Sequence, residues 1–244
     1  MLGILVCWHS FFEFFELHLR NIDKFVKVPH IIYVLDNSAE SKIRPSSVAY
    51  RYLRNTNIHL DPSSRHQQTI NMGLAEAWKE CDSFLFLDND MVFLKEFTKE
   101  PEEDLAYVPT YRGTWDYCWL NLLYMKKKED GPFEFKFWSC PKTGENTDSG
   151  GNSGLLLLNE SLTKIKINPI FEKSIQETLL PDYQENLRKL CDEYKIPYEV
   201  EMYDFLGIPI FHFVKMSNYM KYPDTYLKQK KHLVMLAIEK NRLY

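Results

Sequence analysis

The sequence lacks the features that mark several common classes of protein. Its 244 residues carry a formal net charge of −4, which argues against a nucleic-acid binder that depends on an overall positive field. No apolar run approaches the length of a transmembrane helix. We therefore expect a chain with neither a nucleic-acid partner nor a membrane span.

Paired cysteines are also missing. The five cysteines are scattered along the chain, and none belongs to a CxxC pair. An odd, dispersed set of this kind fits a reducing compartment better than a disulfide framework. We therefore expect a cytoplasmic protein.

A pair of aspartates interrupts the most hydrophobic segment that is present, SFLFLDNDMVFL at residues 83–94. The apolar residues before Asp88 predict a short buried strand. If the extended path continues, Asp88 and Asp90 point to the same side of the chain. Ionised carboxylates are costly to bury unless they are paired or bind a cation. The pattern therefore predicts a two-carboxylate site at the carboxyl end of a core strand.

Short strands and helices alternate through the first 90 residues. This alternation predicts an α/β fold with a mostly parallel central sheet and covering helices. Ligands of such sheets bind beyond the carboxyl ends of the strands, where Asp36 and the aspartate pair both lie. The predicted elements are strands at 3–7, 30–36 and within 50–60, helices at 11–22 and 62–81, and the strand that ends at Asp88.

The second part of the chain is rich in aromatic residues and contains one long glycine-, serine- and asparagine-rich loop. No linker or repeat divides the chain, so we expect a single domain at 1–244 with two halves, 1–95 and 96–244. The predicted elements here are an apolar strand after the loop NTDSGGNSG, a helix in PDYQENLRKLCDEYKI, a strand in GIPIFHFVKM and a basic C-terminal helix in YLKQKKHLVMLAIEKNRL.

Four segments occur in the order found in one enzyme family. They are VLDNSAES, INMGLAEAWKECDSFLFLDND, GGNSGLLLLN and PDYQENLRKLCDEYKIPYEV. Together they resemble nucleotide-sugar glycosyltransferases of the GT-A fold, above all the inverting family 2 type with its DxD motif, over roughly residues 1–215. The resemblance implies that 1–95 is a Rossmann-like nucleotide-binding half, and that 96–244 holds the acceptor and the C-terminal helix.

The resemblance implies an activity as well. The protein would move a sugar from a nucleotide donor, a UDP-sugar by preference, to a hydroxyl of a glycan or glycoconjugate, with inversion and with Mn²⁺ or Mg²⁺. The alternatives are a retaining transferase, since FHFVKMSNYMK is similar to a metal-binding segment of family 8, a Mg²⁺-dependent nucleotidyltransferase and a non-catalytic carbohydrate-binding module. A nucleotidyltransferase should carry a basic, glycine-rich phosphate loop, and GILVCWHSFFEF contains none.

The residues that would bind the metal and the donor nucleotide are predicted from the same resemblance. The predicted metal ligands are Asp88, Asp90 and His212. The alternative for the aspartate pair is a solvated turn at the strand end, and the alternative for His212 is a core histidine. For Asp36 the alternative is an Asx turn, and for Arg65 it is a solvated surface residue. The residues predicted to contact the donor nucleotide are Cys7, Trp8, His9, Asp36, Arg65, Asp88 and Asn89.

Catalytic and acceptor residues are predicted in the second half. Inversion needs a carboxylate base, and the resemblance favours Asp182, with Asp148 and Asp116 as alternatives. A capping role of Asp182 with Glu185 at the start of a helix is the competing interpretation. Sugar C–H faces pack on aromatic rings, although ordinary core packing also uses such residues. The predicted acceptor contacts are Tyr111, Trp115, Asn152, Ser153 and Gly154.

The basic C-terminal helix has two interpretations. Its lysines favour a solvated face of a packing helix. The alternative is peripheral contact with an anionic membrane surface, as in enzymes that act on lipid-linked acceptors.

Overall fold

A computed structural model describes most of the chain. The alternative base Asp148 lies outside the described part. The described residues are 1–9, 11–38, 40–41, 43, 45–57, 59–112, 115–139, 144, 147, 149–170, 180–198, 201–213 and 222–244.

In the described part of the chain, seven strands form the central sheet. They are β1 (Leu2–Trp8), β2 (His30–Asp36), β3 (Arg51–Arg54), β4 (Ser83–Asp88), β6 (Leu105–Arg112), β7 (Trp115–Lys126) and β8 (Lys164–Lys166). Their order is β3-β2-β1-β4-β7-β6-β8. The first four run parallel, β7 is antiparallel to β4 and β6, and β8 is parallel to β6. The predicted α/β fold with a mostly parallel sheet is confirmed.

Helices cover both faces of this sheet. α1 (Phe15–Phe25), preceded by a short 3₁₀ turn at Phe12–Phe14, packs on one face, and α2 (Pro62–Ala77) packs on the other. Gly73 allows α2 to approach β2 closely, because a Cβ atom at this position would lie 2.5 Å from the side chain of Leu35. The parallel strands are therefore buried on both sides, as their nearly continuous apolar sequences require.

The chain passes into a second, smaller sheet directly after the aspartate pair. This sheet consists of β5 (Met91–Phe93), β9 (Asn168–Pro169), β10 (Glu201–Phe205) and β11 (Ile208–His212), in the order β5-β11-β10-β9. All its described pairs are antiparallel. Residues 89 and 90 thus form the crossing between the two sheets, and the register of β11 on β5 places His212 opposite Met91.

The other helices of the described residues lie in the second half. They are α3 (Gly154–Leu158), α4 (Pro181–Tyr194) and α5 (Asp224–Lys240). Leu187 and Leu190 of α4 are buried, as predicted. Among the described helices, none combines the length and the apolar character that crossing a membrane requires.

One predicted strand is wrong. The run GLLLL after the glycine-rich loop forms the helix α3, which leaves Leu155 and Leu158 exposed. Four consecutive leucines carry no periodicity that separates a strand from a helix. The 3₁₀ turn at Gly151–Ser153 leads into α3 with helical backbone angles at Gly154.

Candidate metal centre

Asp88, Asp90 and His212 meet where the two sheets join. A carboxylate oxygen or ring nitrogen from each lies within 4.8 Å of those from the other two. Nε2 of His212 is 3.1 Å from Oδ1 of Asp90. The backbone supports this approach, because the amide of Phe213 donates a hydrogen bond of 2.9 Å to the carbonyl of Asp90. Residues 124 positions apart in the sequence thereby share one small volume.

Asp90 has the least satisfied side chain of the three. It is fully buried, and within the described part of the chain neither of its carboxylate oxygens accepts a hydrogen bond. A buried carboxylate in that state is costly unless an opposite charge lies beside it. Carboxylate oxygens suit Mg²⁺ and Mn²⁺, and imidazole is acceptable to Mn²⁺. The three side chains therefore fit a divalent cation.

Asp88 differs from Asp90 because both of its oxygens have donors. The backbone amide of Asn89 donates to Oδ1 at 3.0 Å, and Nδ2 of Asn121 donates to Oδ2 at 2.6 Å. Burial and the neighbouring Asp90 together raise the pKa of Asp88 to about 7, although His212 and the two donors oppose this shift. Without a cation, Asp88 therefore takes up a proton near neutral pH.

Among the described residues, the rings of Trp119 and Tyr203 lie beside His212. Its ring centroid lies 5.4 Å from that of Trp119, in an edge arrangement, and 6.4 Å from that of Tyr203. His212 itself is buried at the end of β11. His212 is thus a buried strand residue, as the core-histidine interpretation predicts. It also lies beside two carboxylates, as the metal-ligand interpretation predicts.

The carboxyl ends of the parallel strands form a row beside this cluster. In the sheet register, Asp88 lies opposite Cys7, Trp8 lies opposite Asp36 and Asp36 lies opposite Arg54. Neighbouring strands are ~4.8 Å apart, so the three intervals from Asp88 to Arg54 span about 14 Å.

Asp36 already has partners in this row. Its Oδ1 accepts from the amide of Ser38 at 2.9 Å and from the Ser38 hydroxyl, and its Oδ2 accepts from the hydroxyl of Tyr52 at 2.7 Å. Burial alone would raise the pKa of Asp36, but these hydrogen bonds outweigh burial and lower it. The Asx-type turn predicted as the alternative is present, and a nucleotide contact of Asp36 stays a prediction.

The other predicted donor residues differ in exposure. Cys7 and Trp8 are buried at the end of β1, whereas His9 is partly exposed. Arg65 belongs to the first turns of α2, and its Nε is buried without a hydrogen-bond partner among the described residues. Burial raises the pKa of the Cys7 thiol, and the charge of Arg65 opposes this effect. Arg65 therefore brings positive charge to the end of β1.

Asn152, Ser153 and Gly154 hold the glycine-rich loop in place. The side-chain oxygen of Asn152 accepts a hydrogen bond of 2.6 Å from the backbone N–H of Lys136. Its side-chain nitrogen donates one of 2.8 Å to the carbonyl of Glu134. The hydroxyl of Ser153 accepts from the amide of Cys118 at 2.8 Å. Gly154 packs so tightly on β7 that an added Cβ would lie 2.4 Å from the carbonyl oxygen of Asp116. These internal contacts do not support their predicted role with an acceptor, which stays a prediction.

The predicted acceptor aromatics lie near the start of β7, where Trp115 is the first residue and Tyr111 of β6 lies opposite Asp116. Tyr111 is 68% exposed. The indole N–H of Trp115 donates to the carbonyl of Gly151 at 2.7 Å, and the ring stacks on Trp138 with centroids 5.7 Å apart. Trp115 is therefore part of the loop structure, while Tyr111 is accessible.

The base candidates are not joined to the metal cluster by any described contact. Asp182 is exposed in the first turn of α4 and pairs with Lys240 of α5. The capping interpretation is wrong, because the helix begins at Pro181 with Leu180 as its N-cap, and no side chain caps it. Asp116 is exposed on β7, opposite Tyr111.

Asn121 was missed by the sequence predictions. In the antiparallel pairing of β4 with β7, Leu87 lies opposite Leu122. The preceding residue of β7, Asn121, therefore lies across from Asp88. The pairing of β4 with β7 would have identified it, but the sequence alone does not reveal which late strand lies beside β4.

Comparisons with known proteins give a limited likeness. No protein-family model matches the chain, and no curated protein matches its sequence. The galactosyltransferase LgtC in complex with donor and acceptor sugar analogues is similar at 13% identity, over 51% of this chain and 57% of that chain, with a TM-score of 0.36. An active-site mutant of LgtC is similar at 12% identity, with the same coverage and TM-score. A likeness of this extent covers little more than half of either chain and carries no argument about activity.

Proposed function

We propose that the protein is a metal-dependent glycosyltransferase, which moves a sugar from a nucleotide donor to a hydroxyl of a glycan or glycoconjugate. The observation that carries this proposal is the convergence of Asp88, Asp90 and His212 at the carboxyl edge of a parallel sheet. The buried carboxylate of Asp90, which accepts no hydrogen bond from the described residues and has the ring of His212 beside it, calls in particular for a cation.

The adjoining row of strand ends supports a nucleoside diphosphate as the ligand. About 14 Å separate Asp88 from Arg54 along the row, which is a suitable length for an extended nucleotide. Arg65 adds positive charge near the middle of the row. We propose UDP as the nucleotide, as the family resemblance implies, and residues 1–95 as the half that binds it.

The cluster of Asp88, Asp90 and His212 would bind the cation that such a reaction needs. Negative charge develops on the diphosphate as the sugar departs, and a divalent cation neutralises that charge. Asp90 and His212 would hold the cation, and Mn²⁺ or Mg²⁺ suits their donor atoms. Asn121 and the amide of Asn89 keep the carboxylate of Asp88 oriented towards the same place.

Donor binding provides the direct test. We expect UDP-sugars to bind in calorimetric titrations with Mn²⁺ and to lose binding when EDTA replaces the metal. Failure of UDP, GDP and their sugar conjugates to bind in the presence of Mn²⁺ would contradict the proposal. Binding of free glycans that EDTA does not affect would instead indicate a carbohydrate-binding module. Release of pyrophosphate from UTP and a sugar phosphate would indicate a nucleotidyltransferase.

The proposal includes inversion, and with it a carboxylate base. The resemblance assigns this role to Asp182, but the ion pair with Lys240 on the exposed side of α4 does not favour it. An exposed pair of this kind stabilises a protein by about 0–1 kcal/mol. Loss of the ion pair should therefore leave the fold intact, so that a kinetic loss in an Asp182 variant reports the loss of the carboxylate.

Asp182→Asn tests the assignment. If Asp182 is the base, transfer to the acceptor should fall about 10²–10⁴-fold, with unchanged donor affinity, because the amide cannot accept the proton. Lys240→Gln is the matched control, since it breaks the same ion pair and keeps the carboxylate. Near-normal transfer by Asp182→Asn would remove Asp182 from the mechanism and direct attention to Asp116 and Asp148.

Peripheral membrane contact through α5 is a further part of the proposal. The helix exposes Lys228, His232 and Lys240 together with Leu236, so basic and apolar groups share its outer surface. Such a surface suits anionic lipid headgroups. The same exposure is ordinary for a solvated helix, and sedimentation with anionic vesicles would separate the two.

A further inference from the structure

Trp119 of β7 lies against the candidate metal cluster. Its ring centroid is 5.4 Å from that of His212 and 5.5 Å from that of Tyr203. The side chain is only partly buried. An accessible part of a large aromatic side chain therefore borders the place where the cation would bind.

The polar group of Trp119 is also available. Its indole N–H makes no hydrogen bond to the described residues, and it is not among their buried unpaired atoms, so it reaches solvent. Trp115, four residues earlier on the same strand, differs in both respects. Its N–H is bonded to Gly151, and its ring stacks on Trp138.

Asn121 supplies a second accessible group beside the ring. Its Nδ2 donates to Asp88, whereas its Oδ1 has no partner among the described residues and is not buried. Residues two apart on a strand are about 7 Å apart. An aromatic surface, an N–H donor and a carbonyl acceptor thus lie within the dimensions of one hexose.

We propose that Trp119 and Asn121 form the subsite for the hexose ring of the donor. The C–H face of a pyranose packs on an indole, while its hydroxyls exchange hydrogen bonds with the N–H of Trp119 and the carbonyl of Asn121. This subsite rests on the proposed function. The hexose of a nucleotide sugar is bonded directly to the diphosphate, so its ring meets the side chains that border the cluster.

The test compares ligands with and without the hexose. Calorimetric titrations in MnCl₂ should use UDP, UDP-glucose, UDP-galactose and UDP-N-acetylglucosamine. We expect Trp119→Ala to weaken the bound UDP-sugars about tenfold, which is near the upper end of an aromatic contact, and to change UDP affinity less than twofold. Trp119→Phe keeps the packing against Tyr203 and should lose only part of this affinity.

Trp78→Phe is the matched control and should change neither ligand, because Trp78 stacks on Phe84, near the end of β4 that lies away from Asp88. Equal weakening of UDP and UDP-sugars, or no weakening of either, in folded Trp119 variants would overturn the subsite. Failure of the wild-type protein to bind UDP, GDP and their sugar conjugates with Mn²⁺ would overturn the proposed function itself, and the subsite with it. The two failures are distinguished by the wild-type titration.

Discussion

Asp90→Asn is expected to stabilise the metal-free protein and to abolish its stabilisation by Mn²⁺. The substitution removes a buried charge whose two oxygens accept no hydrogen bond from the described residues. A neutral amide is less costly to bury than a carboxylate that accepts no hydrogen bond, by about 1–3 kcal/mol. The same substitution removes the ligand that a cation needs most. Thermal unfolding with EDTA and with Mn²⁺ measures both effects.

The two expected shifts are large enough to separate. A ligand present at 100 times its dissociation constant stabilises the folded protein by about 2.7 kcal/mol. For a chain of 150–250 residues, each 1 kcal/mol raises Tm by about 2–4 °C. The wild-type protein should therefore gain roughly 5–11 °C with Mn²⁺. Asp90→Asn should start higher in EDTA and gain nothing.

Asp104→Asn is a suitable control. The carboxylate of Asp104 pairs with Lys128 at 2.6 Å and accepts hydrogen bonds from Thr163 at 3.0 Å. Its removal should lower Tm slightly and leave the Mn²⁺ gain intact. The proposal for the metal centre would fail if Asp90→Asn kept the full Mn²⁺ gain, or if it destabilised the EDTA-treated protein as Asp104→Asn does.

The aspartate pair of the site could be predicted because carboxylates are unusual in an apolar segment. Two carboxylates in an apolar segment need an explanation from the sequence alone, and the alternating elements place them at a strand end. The structure adds the reason for their approach to His212, which is the pairing of β11 with β5 across the sheet junction. That register joins distant residues, so no local pattern contains it.

The loop residues were harder to predict because polar side chains have two uses. Asn152 and Ser153 complete the hydrogen bonding of their own loop and of β7. Asp36 likewise closes a turn with Ser38. A sequence shows that such groups need partners, but it does not show whether a ligand or the neighbouring backbone provides them. Asn121 is the opposite case, since nothing in its local sequence indicates that it lies across from Asp88.

The affinity for Mn²⁺ should depend steeply on pH, because Asp88 holds a proton in the metal-free protein. Its pKa is raised to about 7 by burial and by Asp90, whereas an aspartate in the unfolded chain titrates near ~3.9. A cation binds the ionised form and displaces this proton. Below pH 7, the Mn²⁺ affinity should therefore fall about tenfold for each pH unit, the slope for one displaced proton.

The stability of the metal-free protein should show the opposite dependence. A carboxyl whose pKa is raised by folding keeps its proton in the folded state between about pH 4 and pH 7, while the unfolded chain has lost it. The contribution of Asp88 is therefore fully present below about pH 4 and is lost as the pH rises through 7. Metal-free stability from this group falls with pH, and stabilisation by Mn²⁺ grows with pH, over the same range.

Calorimetric titrations of Mn²⁺ at pH 5.5, 6.5 and 7.5, together with unfolding curves in EDTA, measure both slopes. Asp88→Asn should remove the loss of metal-free stability that accompanies the ionisation of Asp88, and it should weaken and flatten the Mn²⁺ response. Asp104→Asn should change neither slope, since hydrogen bonds and Lys128 lower the pKa of Asp104 to about 2, against the effect of burial, and it titrates below this range. A Mn²⁺ affinity that stays constant from pH 5.5 to 7.5 would show that Asp88 does not exchange its proton for the cation, and that Asp90 and His212 hold the metal without it.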